Sequence, residues 1–476
     1  MTENSQAARD FSDLLLPQQT AFVNDFFNTD SKRNILLRAD VGLGKTTALV
    51  ALASRFLVQQ PSARVLFLAP GTLGAQFVEM LRTAGTDSMA VDRYRLRELL
   101  ETSSEGELWP VGKPLVLGQD FAKQSDVLEW LVQTHWDLVI VDEGHRLTGR
   151  RGEAVKRIAA SAERVVIAIR RDLQLPERIL TDDVQVVDWR REEFVGRDGA
   201  LLDVIPRPLL KCFQYELTPD ETALGGTIGQ LCELLGGTTG YMSWTAQSLL
   251  RSFQSSPAAL EGSLRRIVEK VSLSGDGEES VEPFEETPLS ARFDSHVAPA
   301  MQDDVIKVSE RALQQTEKLT TDSKLVAFVS LLEHLRSQSA RVCVLTEFSA
   351  TLFYLATEME DRDTKCHIHH GALPHDERQH VLLSFINDGG VLVSTSGSMN
   401  EGIQLSKVTD LVFYDMVRSK VALQEVIGRF DRLGRSSQLK VYALTAVEAG
   451  DPNFGTSHNV LREHFGQEVT IVQGQS

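Results

Sequence analysis

Short β-branched and aliphatic runs alternate with longer stretches of helical spacing over residues 1–205, the pattern of a parallel sheet whose strands are joined by crossover helices. Strands are predicted at Asn34–Arg38, Val65–Ala69, Leu115–Leu117, Leu138–Val141 and Val165–Ile169, with a helical run at Thr47–Gln59. After Pro206 the period changes, and Leu217 to Lys270 reads mainly as helices interrupted by Gly225, Gly226, Gly236 and Gly237. The acidic, turn-rich stretch Ser272–Pro288 reads as a connector. A second alternating block starts near Thr321, with strands predicted at Val342–Thr346, Val391–Ser394, Asp410–Tyr414 and Leu439–Leu444. Residues beyond about Gly455 carry little pattern and read as a short helix or tail. The expected organisation is a first α/β block over 1–205, a helical insertion with an acidic linker over 206–320, a second α/β block over 321–455 and a tail over 456–476.

With 476 residues, 42% hydrophobic and 24% charged, the chain has enough apolar material for two or three domains. No apolar run is long enough to span a bilayer, and the N-terminus, with Glu3, Arg9 and Asp10, has no signal-peptide profile, so a cytoplasmic protein is expected. The cysteines Cys212, Cys232, Cys343 and Cys366 are far apart, which points to inert thiols and to no zinc or disulfide framework. A net charge of -17 argues against a whole surface that binds polyanions, so any nucleic-acid site is expected to be a local groove. A mild basic excess from Arg146 to Arg197, including Arg150, Arg151, Arg170, Arg171, Arg190 and Arg191, fits such a groove or an ordinary solvated face.

The chemistry starts at Ala39-Asp40-Val41-Gly42-Leu43-Gly44-Lys45-Thr46, between a predicted strand and a predicted helix. That is the setting of a phosphate-binding loop. Gly42 and Gly44 let backbone N–H groups turn toward phosphate oxygens, and the helix N-terminus adds the positive end of its dipole. Lys45 would reach the β- and γ-phosphates of ATP, and Thr46 would ligate magnesium. Asp142 and Glu143 end the apolar run Leu138–Val141, which places two carboxylates at the C-terminal edge of the sheet beside that loop. Asp142 suits magnesium, and Glu143 suits a base that orients the attacking water. Upstream, Leu15-Leu16-Pro17-Gln18-Gln19 offers Gln19 as an adenine-reading amide, an ordinary helix entry being the other reading. In the second block, Gln424 to Gly434 sets Arg429 and Arg432 three residues apart on one helix face, as arginine fingers would be for a γ-phosphate.

Taken together these motifs resemble superfamily 2 helicases, and within them the SWI/SNF-type translocases and their bacterial relatives. The resemblance extends through Asp322-Ser323-Lys324-Leu325, Val344 to Ser349, His370-Gly371-Ala372, Asn400 to Leu405 and Tyr414-Asp415. Asp142-Glu143-Gly144-His145 is closer to the SWI/SNF box than to the DEAD-box RNA helicase form. The resemblance implies two RecA-like lobes, parallel sheets with flanking helices, separated by a helical insertion. It also implies ATP and Mg2+ as cofactors, with Thr47 and Gly402 joining the nucleotide site. Nucleic-acid contact is implied for Pro70, Thr72, Gln76, Phe348, Ser349 and Thr395, although Pro70 and Thr72 also suit a strand end and a helix cap. The implied function is an ATP-driven translocase on double-stranded DNA. A strand-separating DNA or RNA helicase and an ATP-gated interaction subunit are the alternatives.

Two departures stand out. The segment Ala168-Ile169-Arg170-Arg171-Asp172 lacks the Ser/Thr coupling motif of the family, leaving open whether Arg170 or Arg171 contacts phosphate backbone instead, and Asp415 is followed by Met416-Val417-Arg418-Ser419-Lys420 without the usual aromatic and Asn-Pro features. Apolar positions at helical spacing in the insertion, such as Leu231, Leu235, Leu249, Leu260 and Leu264, suit packing among its helices or a partner-binding face. His369 and His370 read as structural.

Overall fold

The computed structural model describes residues 11, 13–28, 34–71, 74–102, 109–176, 179–180, 184–196, 199, 208–236, 244–273, 299–338, 340–400, 405, 407–417, 420–431, 435, 437–447 and 469–473. Two compact units are present, each built on a seven-stranded sheet in which every pairing is parallel. The fold is therefore two RecA-like α/β lobes.

The first sheet contains β1 (Asn34–Ala39), β2 (Val65–Ala69), β3 (Met89–Ala90), β4 (Leu115–Gly118), β5 (Trp136–Val141), β6 (Ala162–Arg170) and β7 (Val184–Trp189), in the order β3-β4-β2-β5-β6-β1-β7. Its central strands read as unbroken apolar runs because helices cover both faces. All five residues of β2 are buried, and Leu138 to Val141 of β5 are fully buried. One face packs against the helices Pro17–Asn28 and Lys45–Gln59 through Phe22, Phe26, Leu49 and Phe56; the other buries Leu131, Trp136, Leu147 and Ile158.

The second sheet contains β8 (Leu209–Glu216), β9 (Val342–Thr346), β10 (Cys366–His369), β11 (Val391–Thr395), β12 (Asp410–Phe413), β13 (Lys440–Val447) and β14 (Thr470–Gln473), in the order β10-β11-β9-β12-β13-β8-β14. The order of positions is the same in both sheets: β5 and β12 are each fourth, and β1 and β8 each sixth. Between β8 and β9, the helices Pro219–Gly236, Trp244–Ser255, Pro257–Leu273 and Pro299–Glu317 form a module with its own core of Leu224, Ile228, Leu231, Leu249, Leu264 and Val305.

Every predicted strand forms, with ends that differ by no more than three residues. Two placements differ from the sequence reading. Leu209–Glu216, expected within the insertion, is a strand of the second sheet paired with β13 along its whole length. Residues Thr470–Gln473, expected in a helix or tail, pair with β8 as an edge strand. The module thus leaves and re-enters one sheet. Most of the expected connector, residues 274–298, lies outside the described residues. Among the described residues no helix is long and apolar enough to cross a membrane, and all four cysteines are free thiols.

Candidate nucleotide site

Strand β1 delivers the chain to a turn in which Gly42 has φ 86° and Gly44 φ 73°, left-handed values that glycine adopts without steric cost. At Gly44 the torsion favours glycine, and a Cβ there would lie 2.5 Å from Gln19 Nε2 and push that amide aside. Gln19 is buried and spans two segments, its Oε1 accepting from Leu16 N at 2.9 Å and its Nε2 donating to the Leu43 carbonyl at 2.9 Å. The amide therefore holds the loop. One lone pair and one N–H remain on it. Lys45 begins the helix Lys45–Gln59 and is 9% exposed; Thr46 and Thr47 follow in its first turn. No side chain caps this helix, and Gly44 offers none, so its first backbone N–H groups are left to a ligand or solvent.

Strand β5 brings the carboxylates to the same edge. Thr46 Oγ1 donates to Asp142 Oδ2 at 3.2 Å, and Glu143 N donates to Asp142 Oδ1 at 2.9 Å. Asp142 is 1% exposed. Burial, then repulsion from Glu143, push its pKa up to about 6, only partly opposed by Lys45. A buried carboxylate in this condition gains from a cation, and Thr46 stands at hydrogen-bond distance to share one. The donor set therefore fits magnesium.

Glu143 has φ 52°, a left-handed conformation uncommon outside glycine, and the strain turns the chain sharply after β5. Gly144 can occupy the next position because it has no side chain: a Cβ would meet Ile167 Cγ2 at 2.4 Å. His145 Nε2 lies 3.3 Å from Glu143 Oε2 without the alignment of a hydrogen bond. Sequence reasoning missed Gln119. It is buried just after β4, and its Nε2 donates to the Asp142 carbonyl at 2.8 Å, fixing the turn from the neighbouring strand. Its one sequence signal is a polar residue at the end of an apolar run.

The basic segment after β6 is satisfied from within. Arg170 is buried and forms a forked pair with Asp172 at 2.8 and 3.2 Å. Arg171 reaches Asp188 at 3.2 Å and Asp40 at 3.6 Å. The charge of both arginines is matched here by neighbouring carboxylates.

The remaining candidates separate. Pro70 is buried at the end of β2, and Gln76 is half-buried on the helix Gly74–Thr83. Ser349 is exposed at the start of the helix Ser349–Glu360, and Thr395 Oγ1 donates to Ser398 Oγ at 2.8 Å. Phe348 is only 6% exposed, so little of its ring is open to solvent. Arg429 lies, partly exposed, in the last turn of the helix Lys420–Phe430. Thr72, Gly402 and Arg432 lie outside the described residues. His369 is structural: its Nδ1 is 2.9 Å from Ser394 Oγ, and burial lowers its pKa to about 4.

Residues 16–175 match the DEAD/DEAH box helicase family, and residues 323–437 match the helicase conserved C-terminal domain. A Bacillus subtilis (strain 168) protein described as the uncharacterized ATP-dependent helicase YqhH is 21% identical over 461 residues, covering 90% of this chain and 73% of that one. Among solved structures, the Pyrococcus furiosus Hef helicase domain superposes with a TM-score of 0.57 at 16% identity, over 93% of this chain and 100% of that one. S. cerevisiae Dbp5 bound to RNA and ADP BeF3 gives a TM-score of 0.50 at 13% identity, over 97% of this chain and 95% of that one. These two likenesses concern the fold.

Proposed function

Because the chain is an ATPase of helicase superfamily 2, a helicase-type motor, we propose that it spends ATP on movement along double-stranded DNA, displacing what is bound there without separating the strands. In this reading the unfilled N–H groups after Gly44 and the Lys45 ammonium take the phosphates, and the free lone pair and N–H of Gln19 read adenine. Thr47 and Gly402 complete the nucleotide contacts. Thr46 and Asp142 hold magnesium, which neutralises phosphate charge when bound. Glu143 orients water, its side chain aimed by the strained turn that Gln119 and Gly144 hold in place. Arg429 and Arg432 supply positive charge as the γ-phosphate departs, a contribution of roughly 10³ to 10⁵ in rate where such arginines have been removed.

The observation that carries the duplex reading is the box at the end of β5. Its third residue is Gly144, where a Cβ would crowd Ile167, and a glycine at this place is what resembles the SWI/SNF box. Pro70, Thr72, Gln76, Ser349 and Thr395 are the proposed polymer contacts.

Steady-state ATP hydrolysis by the purified chain, without nucleic acid and with duplex DNA, single-stranded DNA or duplex RNA, tests the proposal. Strong stimulation by duplex DNA, abolished in Glu143→Gln and Arg429→Ala, is expected. Preference for single strands or RNA would replace it with a strand-separating helicase. Nucleotide binding without hydrolysis under any condition would favour an ATP-gated interaction subunit.

A further inference from the structure

Asp415 lies at the edge of the second sheet, two residues past β12. It is 7% exposed, and donors from three separate segments converge on it. Lys324 Nζ, itself buried, donates to Oδ1 at 2.9 Å and to the Gln254 carbonyl at 2.6 Å, and lies 4.2 Å from the ring centroid of Tyr414. Thr346 Oγ1 and Glu347 N, from the end of β9, both donate to Oδ2, the second at 3.1 Å. Ser255 Oγ, from the helical module, donates to the same oxygen at 2.8 Å.

Each hydroxyl carries one proton, so these bonds fix a direction. Ser255 gives its proton to the carboxylate and must accept from Thr351 Oγ1 at 2.6 Å. Thr351 must then accept from Ser256 Oγ at 2.7 Å, and Ser256 Oγ accepts from Ala259 N at 3.1 Å. The chain runs from the start of the module helix Pro257–Leu273 to Asp415 with every proton assigned. Thr346 gives its proton to Asp415 and accepts from Phe348 N at 3.3 Å. One carboxylate thus sets the orientation of hydroxyls in the module and in the β9 loop together.

We propose that Asp415 is a positioning residue that locks the helical module to the loop Thr346–Ser349, so that the polymer contact at Ser349 and the module move as one body. For what the loop touches, the proposal rests on the translocase reading; the bonding does not. An acidic acceptor is required. In an amide, one end becomes a donor and faces either Lys324 or the three other donors.

The test uses the full chain with Ser255→Ala, which removes the module's donor and leaves Lys324, Thr346 and Glu347 on Asp415. Amide hydrogen exchange of the peptide spanning 342–352 is expected to become roughly tenfold faster, the effect of losing one charge-assisted hydrogen bond. Basal ATP hydrolysis and the KM for ATP should not change, while the duplex DNA concentration for half-maximal stimulation rises by a similar factor. Thr351→Val, which interrupts the relay one step earlier, should give a smaller change of the same sign. Unchanged exchange in both variants would overturn the proposal whatever nucleic acid does. Faster exchange in a chain that no nucleic acid stimulates would sustain the positioning role and remove the translocase reading instead.

Discussion

The two sheets use the same strand order and put opposite chemistry at matching places. Sixth in the first sheet, β1 leads to Gly42-Leu43-Gly44-Lys45, where no side chain caps the following helix. Sixth in the second sheet, β8 leads to Thr218-Pro219-Asp220-Glu221, a complete capping box: Thr218 N donates to Glu221 Oε2 at 2.7 Å, and Glu221 N donates to Thr218 Oγ1 at 3.2 Å. One helix start is left open for an anion; the other is closed by the protein's own carboxylate. Glu221 also accepts from Ser323 N at 2.8 Å and from Ser323 Oγ, tying the module to the helix Ser323–Ser337.

The fourth strands repeat the contrast. Asp142, after β5, is buried with two hydrogen bonds from its neighbours and a raised pKa. Asp415, after β12, receives four donors, including a lysine. A carboxylate that the fold leaves under-compensated marks a place for a ligand, whereas one fully supplied with donors marks a joint. The shared fold decides where both residues sit, and the donors around each decide what it is for.

The largest effect should come from the open end of this comparison. Glu143→Gln should lower ATP hydrolysis by ~10² to 10⁴ while leaving nucleotide binding intact, measured as turnover beside equilibrium binding. Loss of both together would mean that the β5 turn shapes the pocket rather than the chemistry.

At the closed end, Asp415→Asn should cost about 3–5 kcal/mol in urea unfolding, because it strands the buried Lys324 charge. Asp142→Asn should do the reverse in the absence of nucleotide and metal, stabilising the chain by on the order of 2 kcal/mol at neutral pH. A carboxyl whose folded pKa lies above its unfolded value favours the folded state when protonated. The penalty from Asp142 is therefore absent below about pH 4 and complete above about pH 6, so the gain in Asp142→Asn should vanish on acidification. Equal losses in the two variants would erase the distinction drawn between them.

A smaller effect, roughly 1–3 kcal/mol of destabilisation, is expected for Gly144→Ala, whose methyl must displace Ile167. Smallest is Thr218→Ala at about 1 kcal/mol, the worth of one cap. Either is read from the same urea titrations.

The open end was legible in the sequence because its chemistry is local: Gly42 to Thr46 and Asp142-Glu143 are contiguous, each at the end of an apolar run. The closed end was not. Asp415, Lys324 and Thr346 fall in segments that carry the family resemblance, but their joining to one another and to Ser255 arises only by folding. Gln119 was missed for the same reason. Strand β8, with the pattern Leu-Leu-Lys-Cys-Phe-Gln-Tyr-Glu, reads as a plausible strand, but its pairing with β13 spans most of the second block and leaves no local signal. Strand β14 is a short edge strand with Ile471 half exposed, too weakly patterned to stand out.

Whether hydrolysis at the open edge drives movement along duplex DNA is measured directly by displacement of a third strand from a triplex-bearing duplex by the full chain. ATP-dependent release of the third strand with the underlying duplex intact, absent in Glu143→Gln, is the predicted result. Separation of the duplex strands, or hydrolysis with no release at all, would contradict it.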